Sequence, residues 1–552
     1  MTSARHPTAP DMFLVSWRLQ RVGLIGMTGF GLFYGLIQAA AYNSVAGSTA
    51  ASRAAFGHEM ETAGRQFSLF LPLPHGVETI AGYIQWRVYG ALPLLFGFWA
   101  LFSAAGAARG DEERGLVEGW LAAGVGRIRY VVTRFLTFAL TAVIAIALTS
   151  AAIDLGVLGA SGSSLPIGPV FEVSLTLLAL TLTVYALTMA VAQFAVSRTA
   201  AAGLGGVLVG VIFFINSLSR SVDSLVPVAR LFSPFYYYDL SQPLSPGGTF
   251  NVGASAGLFV ASIVLVALTL WLMRVRDLGS AVIRIRPRQH PATVRPSPNP
   301  LLRLPVLALV YEQRLGILAW GIGCGFFAFY LASISRQMLD LIQGSSGFRV
   351  YLTLIGHGNP YVALTGYLWF GIFLALLSVF AITQVARWSS DDNEGRLEMV
   401  LSGPVSRTRV VLERAAALVV RMAGVIAITS LAFALGAATA NVTIEAGSLT
   451  VASLLLIPFG MSFAAIGAVL ASQAPRAAVA VLATYTFVAY LLTELGPLLK
   501  WPDWALKLSV FSLYGTPLTG GIDWIGLWIM SGITVVGFGL ATVLMQRRDV
   551  GS

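Results

Sequence analysis

"DDNEGRLEMVLSGPVSRTRVVLER", residues 391–414, gathers five acids and four arginines in a chain of which only 11% is charged. On either side, residues 350–386 and 422–444 contain no Asp, Glu, Lys or Arg. The chain as a whole is 56% hydrophobic with a mean hydropathy of +0.78. Soluble domains use about 45–50% apolar residues, so the composition is that of a membrane protein, and the charged stretch is an island between two spans.

Twelve charge-free stretches carry this expectation: 22–52, 88–108, 135–153, 173–197, 199–219 and 251–273, then 315–335, 350–386, 422–444, 446–475, 477–493 and 524–546. A helix crossing the hydrocarbon core needs about 20 apolar residues and satisfies every backbone group internally. The expected fold is an all-α polytopic membrane protein of twelve transmembrane helices, six in each half. Orientation follows from arginine, which stays on the cytoplasmic side close to span ends. Arg274, Arg276, Arg284, Arg286, Arg288, Arg295 and Arg303 crowd the segment between the sixth and seventh spans, against Asp277. That segment is expected inside, and so, with an even number of spans, are the N-terminus (Arg5, Arg18, Arg21) and the C-terminus (Arg547, Arg548).

The net charge of +10 is therefore mostly topology, and the scatter of arginines at helix ends argues against nucleic acid as a partner. The single cysteine, Cys324, excludes a disulfide framework, and five dispersed histidines give no metal-ligand spacing. Residues 1–21 lack an apolar core followed by a small-residue cleavage site, so the first span is expected to be retained.

A second island, "DEERGLVEGWLAAGVGRIRYVVTR" at 111–134, aligns with the first without a gap. The two share Asp111/Asp391, Gly115/Gly395, Glu118/Glu398, Leu121/Leu401, Val125/Val405, Arg127/Arg407, Arg129/Arg409, Val131/Val411 and Arg134/Arg414. "QRVGL" from Gln20 answers "QRLGI" from Gln313, and "LMRVRDLGS" from Leu272 answers "LMQRRDVGS" from Leu544. The echoes keep their order, which predicts two parallel six-helix repeats, residues 1–280 and 304–552. A Pro- and Arg-rich cytoplasmic linker joins them over 281–303.

Each island lies between the second and third spans of its half, on the arginine-rich side. Acids, a Gly, a further acid and apolar residues predict a short amphipathic helix at the membrane surface, ended near Gly124 or near Gly403-Pro404. Glu394 and Glu398, four apart, are expected on one face as acceptors for basic groups of another protein. One such island is an ordinary solvated helix end; two at equivalent places favour a shared mechanical role.

The islands resemble the cytosolic coupling-helix motif of ABC-2 type exporter permeases, roughly acid-x-x-x-Gly-x-x-Glu-x-x-Leu followed by Pro-x-Ser-Arg. The second copy matches with Gly395, Glu398, Leu401, Pro404, Ser406 and Arg407; the first departs with Gly124 and Gly126 at the Pro and Ser positions. "RDLGS", "RRDVGS", "FSPFYYY" from Phe232 and the fused layout look like the polyketide-antibiotic, tetronasin-type branch.

The resemblance implies a transport subunit of the bacterial inner (plasma) membrane that exports a lipophilic antibiotic or drug and is not itself an enzyme. ATP and Mg would sit on a separate ATP-binding subunit, with two copies per permease. The implied ATPase-coupling residues are Asp111, Glu112, Gly115, Glu118, Leu121 and Arg127, with Asp391, Glu394, Gly395, Glu398, Leu401, Pro404 and Arg407. Independently, a P-loop needs Gly-Lys-Ser/Thr, and the only lysines, Lys500 and Lys507, each follow a Leu.

The rival is an ion-coupled secondary multidrug transporter of the major facilitator type, which shares the six-plus-six layout. It calls for ionisable groups deep in the bilayer. Glu78, Arg87, Asp154, Glu172, Glu494 and Asp523 instead lie near expected span ends, mostly outer, and Arg134, Arg414 and Arg421 toward the inner ones. A membrane scaffold or insertion factor is a further alternative.

A lipophilic substrate needs an apolar concavity with a few polar groups. The family's arrangement implies that the first, second and fifth spans of each half line the path. Candidates are Phe30, Phe33, Tyr34, Trp86, Tyr89, Phe213, Phe214 and Asn216, with Phe327, Tyr330, Tyr367, Trp369, Phe370, Tyr485 and Tyr490. Interfacial anchoring and packing explain such aromatics equally well. The 43–85 and 336–360 stretches are expected as outer caps, and "FSPFYYYDL" and "FSLYGTPL" as short helices dipping into the outer leaflet.

Overall fold

The computed structural model of the chain describes residues 9–68, 71–162, 164–221, 228–282, 300–344, 359–393, 395–495 and 502–548, and no strand occurs among them. Eleven of the helices described are long and apolar enough to cross a membrane, the make-up of a multi-pass membrane protein. The remaining expected stretch, 477–493, forms the 21-residue helix Pro475–Leu495, which is not among the eleven. Of the expected linker, 281–303, residues 283–299 lie outside the described ones. The chain divides into two compact units, Met1–His290 and Pro291–Ser552.

In the first unit the long helices are Ala9–Ala46, Ile80–Glu113, Arg127–Ser161, Ile167–Ala192, Arg198–Ser221 and Val252–Val275. Ala9–Ala46 packs along Arg127–Ser161, while Ile167–Ala192 packs on Val252–Val275 and on the second helix. In the second unit Arg314–Gly344 packs along Arg407–Thr439, and Ala446–Gln473 on Trp524–Arg547 and on Pro360–Asn393. The fourth helix is central in each case. In lipid, helices associate through close packing of small residues and through hydroxyl bonds rather than through hydrophobic transfer. Accordingly Thr183 donates to the Leu258 carbonyl at 2.8 Å, and Ser462 donates to the Met530 carbonyl at 3.0 Å, each between fourth and sixth helices.

Glycines set the closest approaches. A Cβ at Gly156 would lie 2.8 Å from Ala39 Cβ, and one at Gly436 would run into the Phe329 carbonyl oxygen. Cys324 is buried on the same helix as Gly321 and Gly325, whose added Cβ atoms would meet Ile428 and Ala432.

Several expected span ends are corrected. The first helix stops at Ala46, where Gly47 takes φ +83°, rather than running to residue 52. The third helix of the second unit ends at Thr439, with Asn441 at φ 54°, and does not reach 444. The second helix starts at Ile80 in the first unit and ends only at Glu113; its counterpart starts at Pro360 and ends at Asn393. At the C-terminal ends, counting charge-free residues stops short because ion-paired charges, Asp111 and Glu112 in one unit and Asp391 and Asp392 in the other, continue inside the helix. The expected outer segments contain the helix Ala50–Phe67 in the first unit, Pro234–Asp239, and the single turn Val510–Leu513; residues 345–358 lie outside the described ones.

The glycine contacts give opposite signs for one substitution. Gly436→Ala must push two backbones apart, at a cost of about 1–3 kcal/mol. Gly159→Ala, in a helix with open space around it, should gain about 0.5–1 kcal/mol from reduced backbone freedom in the unfolded chain. Thermal unfolding of the detergent-solubilised full chain should show a lowered midpoint for the first and a raised or equal one for the second.

Candidate functional site

Both charged islands fold as elbows at the end of the second helix. In the first unit a π turn, Gly106–Gly110, precedes Asp111–Glu113; Gly115 then takes φ +69° and turns the chain into the short helix Leu116–Ala122. In the second unit Gly395 takes φ +71° between Asn393 and the short helix Arg396–Leu401. Only glycine adopts this left-handed conformation without a steric penalty. One helix ends at Asn393 and the next starts at Arg396, and the expectation that Glu394 and Glu398 share one helical face falls partly outside what the structure describes. Glu394 itself lies outside the described residues.

The first two acids of each elbow point inward and are ion-paired. Asp111 accepts from Arg134 at 2.7 Å, Arg114 at 2.9 Å and the Tyr130 hydroxyl at 2.8 Å. Glu112 accepts from Arg109 at 3.0 Å, from both terminal nitrogens of Arg276 at 2.8 and 2.6 Å, and from the backbone N–H of Gly279. Arg109, absent from the expected set, also donates to the carbonyls of Ala192 at 2.8 Å, Gln193 at 3.1 Å and Ser280 at 3.0 Å. The first two belong to the end of the fourth helix, whose last carbonyls have no partner within the helix. Arg276 donates to the Gln193 side chain at 2.7 Å. One carboxylate thus ties the second helix to the end of the fourth and to the "RDLGS" segment.

The second elbow uses a sparer version. Asp391 pairs with Arg414 at 2.8 Å, and Asp392 pairs with Arg548 at 2.6 Å; Arg548 in turn reaches the Ala471 carbonyl at 3.4 Å. In the alignment that places Asp391 on Asp111, Ser389 replaces Arg109 and Val410 replaces Tyr130. A cleft of about 40 Å³, room for a water or two, opens there, lined among others by Trp388, Asp392, Val410, Arg414, Ser472 and Arg548. The difference shows in exposure: the Asp111 and Arg134 side chains are 2% and 5% accessible, those of Asp391 and Arg414 33% and 19%.

The motif arginines at the start of the third helices cap the sixth. Arg127 donates to the carbonyls of Met273 and Arg276, and Arg407 to those of Met545, Gln546 and Arg548. A cation at a helix C-terminus satisfies orphan carbonyls and the negative dipole end. What each elbow presents outward is Glu118 on one short helix and Glu398, with Met399 and Val400, on the other; Leu121 and Leu401 are half-buried and Pro404 is exposed. Of the expected coupling residues, then, Gly115, Glu118, Glu398 and Pro404 are on the surface, while Asp111, Glu112, Arg127 and Arg407 are held by the protein itself.

The expected path aromatics mostly pack. The Trp86 indole donates to the Pro72 carbonyl at 2.9 Å, and the Tyr89 hydroxyl to Ser150 at 2.9 Å. Tyr34 donates to the Arg87 carbonyl at 3.0 Å and stacks on Phe30, and Phe33 is half-buried nearby. Asn216 donates to Asp239 at 2.7 Å, which Arg220 also grips, and Phe213 meets Phe235 edge-on. In the second unit Trp369 stacks on Phe373 and also meets Phe327, while Phe370 packs on Tyr514 and Phe433. Tyr485 and Tyr490 lie against Phe463 and Phe511 respectively, and Tyr330 is half-buried. Phe214 and Tyr367 are exposed. The Asp239–Arg220 pair was missed because its members lie in different elements.

Removing one member of a buried pair leaves the other charge uncompensated, at about 3–5 kcal/mol, whereas exposed pairs contribute about 0–1 kcal/mol. Asp111→Asn should therefore lower the thermal unfolding midpoint markedly, and Asp391→Asn, whose carboxylate is a third accessible, only slightly.

No curated protein matches the chain. Residues 302–545, nearly all of the second unit, match a family described as "Multidrug efflux system permease Rv1217c, C-terminal domain", so this half is similar to the C-terminal domain of a multidrug efflux permease.

Proposed function

We propose that the chain is the permease of an ABC-2 type exporter that moves a lipophilic antibiotic or drug outward across the bacterial inner membrane, with both termini in the cytoplasm. The permease is not itself an enzyme; ATP and Mg are bound by a separate ATP-binding subunit, present in two copies, one below each half. The twelve spans are two parallel six-helix repeats of tetronasin-type layout. The observation that carries this reading is the recurrence of the elbow: a left-handed glycine, a short helix with an exposed glutamate, and an arginine that caps the sixth helix, at the same place in both units. The same helix pairs pack within each unit, and the second unit matches an efflux-permease domain. The absence of any Gly-Lys-Ser/Thr from the sequence supports an external source of ATP hydrolysis.

The mechanism is alternating access. Closure of the two ATP-binding subunits displaces both short helices; the helices they join shift, and the substrate side opens outward. Charge reversal of Glu118 and Glu398 together should abolish co-purification of the ATP-binding subunit while the permease still folds and inserts. Retained assembly and ATP-dependent transport in that double variant would overturn the assignment. Transport by the permease alone, driven by a proton gradient, would favour the secondary-transporter reading.

A further inference from the structure

Each short helix is flanked by pivots. Gly115 and Gly395 take positive φ on one side; on the other stand Gly124, at φ +86°, and the Gly403-Pro404 turn. A push on a segment so mounted would be absorbed by rotation at its ends. What opposes this is the arginine of the "RDLGS" and "RRDVGS" tails, which clamps the acid beside the pivot. Arg276 bonds Glu112 in bidentate fashion and reaches Gln193; Arg548 bonds Asp392 and reaches the Ala471 carbonyl. A planar guanidinium fixes the direction as well as the distance of its partner.

We propose that Arg276 and Arg548 are positioning residues that make each elbow rigid against the fourth and sixth helices, so that displacement of the short helix reaches the membrane helices rather than being lost at the glycines. This rests on the reading of the short helices as coupling elements. The two clamps differ in grade. The first is dry, with Arg276 and Glu112 side chains 1% and 4% accessible and Arg109 doubling the grip. The second has Ser389 in place of that arginine, and its Arg548 side chain is 17% accessible beside the cleft. Ions screen accessible charges and hardly reach buried ones, so the second clamp is the one that salt loosens.

The test uses spin labels on the full chain in lipid nanodiscs, with Cys324 replaced by Ala. Labels at Ala122 and Val196 report the first elbow against the end of the fourth helix; labels at Met399 and Gln473 report the second. Pulsed distance measurements should show that Arg276→Gln broadens the first distribution and leaves the second, and that Arg548→Gln does the reverse. Raising salt from about 0.1 M to about 1 M, which shortens the Debye length from about 10 Å to about 3 Å, should broaden only the second. If Arg276→Gln does not fold, Arg276→Lys, which keeps the charge and loses the fork, gives the same comparison. Unchanged distributions in folded variants, or an equal response of both elbows to salt, would overturn the proposal. No ATP-binding subunit enters the measurement, so a failed ATPase assignment and a failed clamp give separate results.

Discussion

The structure turns on a carboxylate that closes the second helix of each unit and is gripped by an arginine from the far end of that unit. Burying Glu112 is tolerable only because three groups satisfy it, Arg109, Arg276 and the Gly279 N–H. In meeting that demand the chain fixes the end of the second helix against the fourth and the tail beyond the sixth. The elbow, the cap made by Arg127 and the placement of the short helix all follow from where that carboxylate is held.

Local backbone geometry serves the same end. The π turn at Gly106–Gly110 leaves carbonyls outside the regular helical ladder, and side chains take them up: Tyr130 shares its single hydroxyl hydrogen between the Ala107 carbonyl, 2.9 Å away, and Asp111, and Arg114 donates to Gly110 at 2.9 Å. Tyr130 also bonds Asp111, so one phenol links the irregular turn to the ion pair beneath it. The second unit has Val410 at that position, and there the ion pair meets solvent.

Much of this was legible in the sequence. The two islands, their order and their glycines placed both elbows, and the "RDLGS" echo marked a segment of shared use without saying for what. Its purpose was hidden because the pairing of Arg276 with Glu112 joins residues 164 positions apart, and no periodicity reports such a contact. Arg109 ends a charge-free stretch, and its nearness to "DEE" is the signal the sequence holds for it. Asp111 and Glu112 are coupling residues only by resemblance, and the sequence does not show that arginines of the same unit pair with them. The aromatic positions were the least informative, since a ring that packs and a ring that lines a conduit leave the same mark on a sequence.

Cys324 has a practical consequence. It is the chain's single thiol and lies, 5% accessible, in the apolar core of the second unit beside the glycines that seat the first helix on the third. Covered in this way, it meets a maleimide when the core opens, so the speed at which the unaltered chain is alkylated is a clock for that opening, wired in without engineering a reporter.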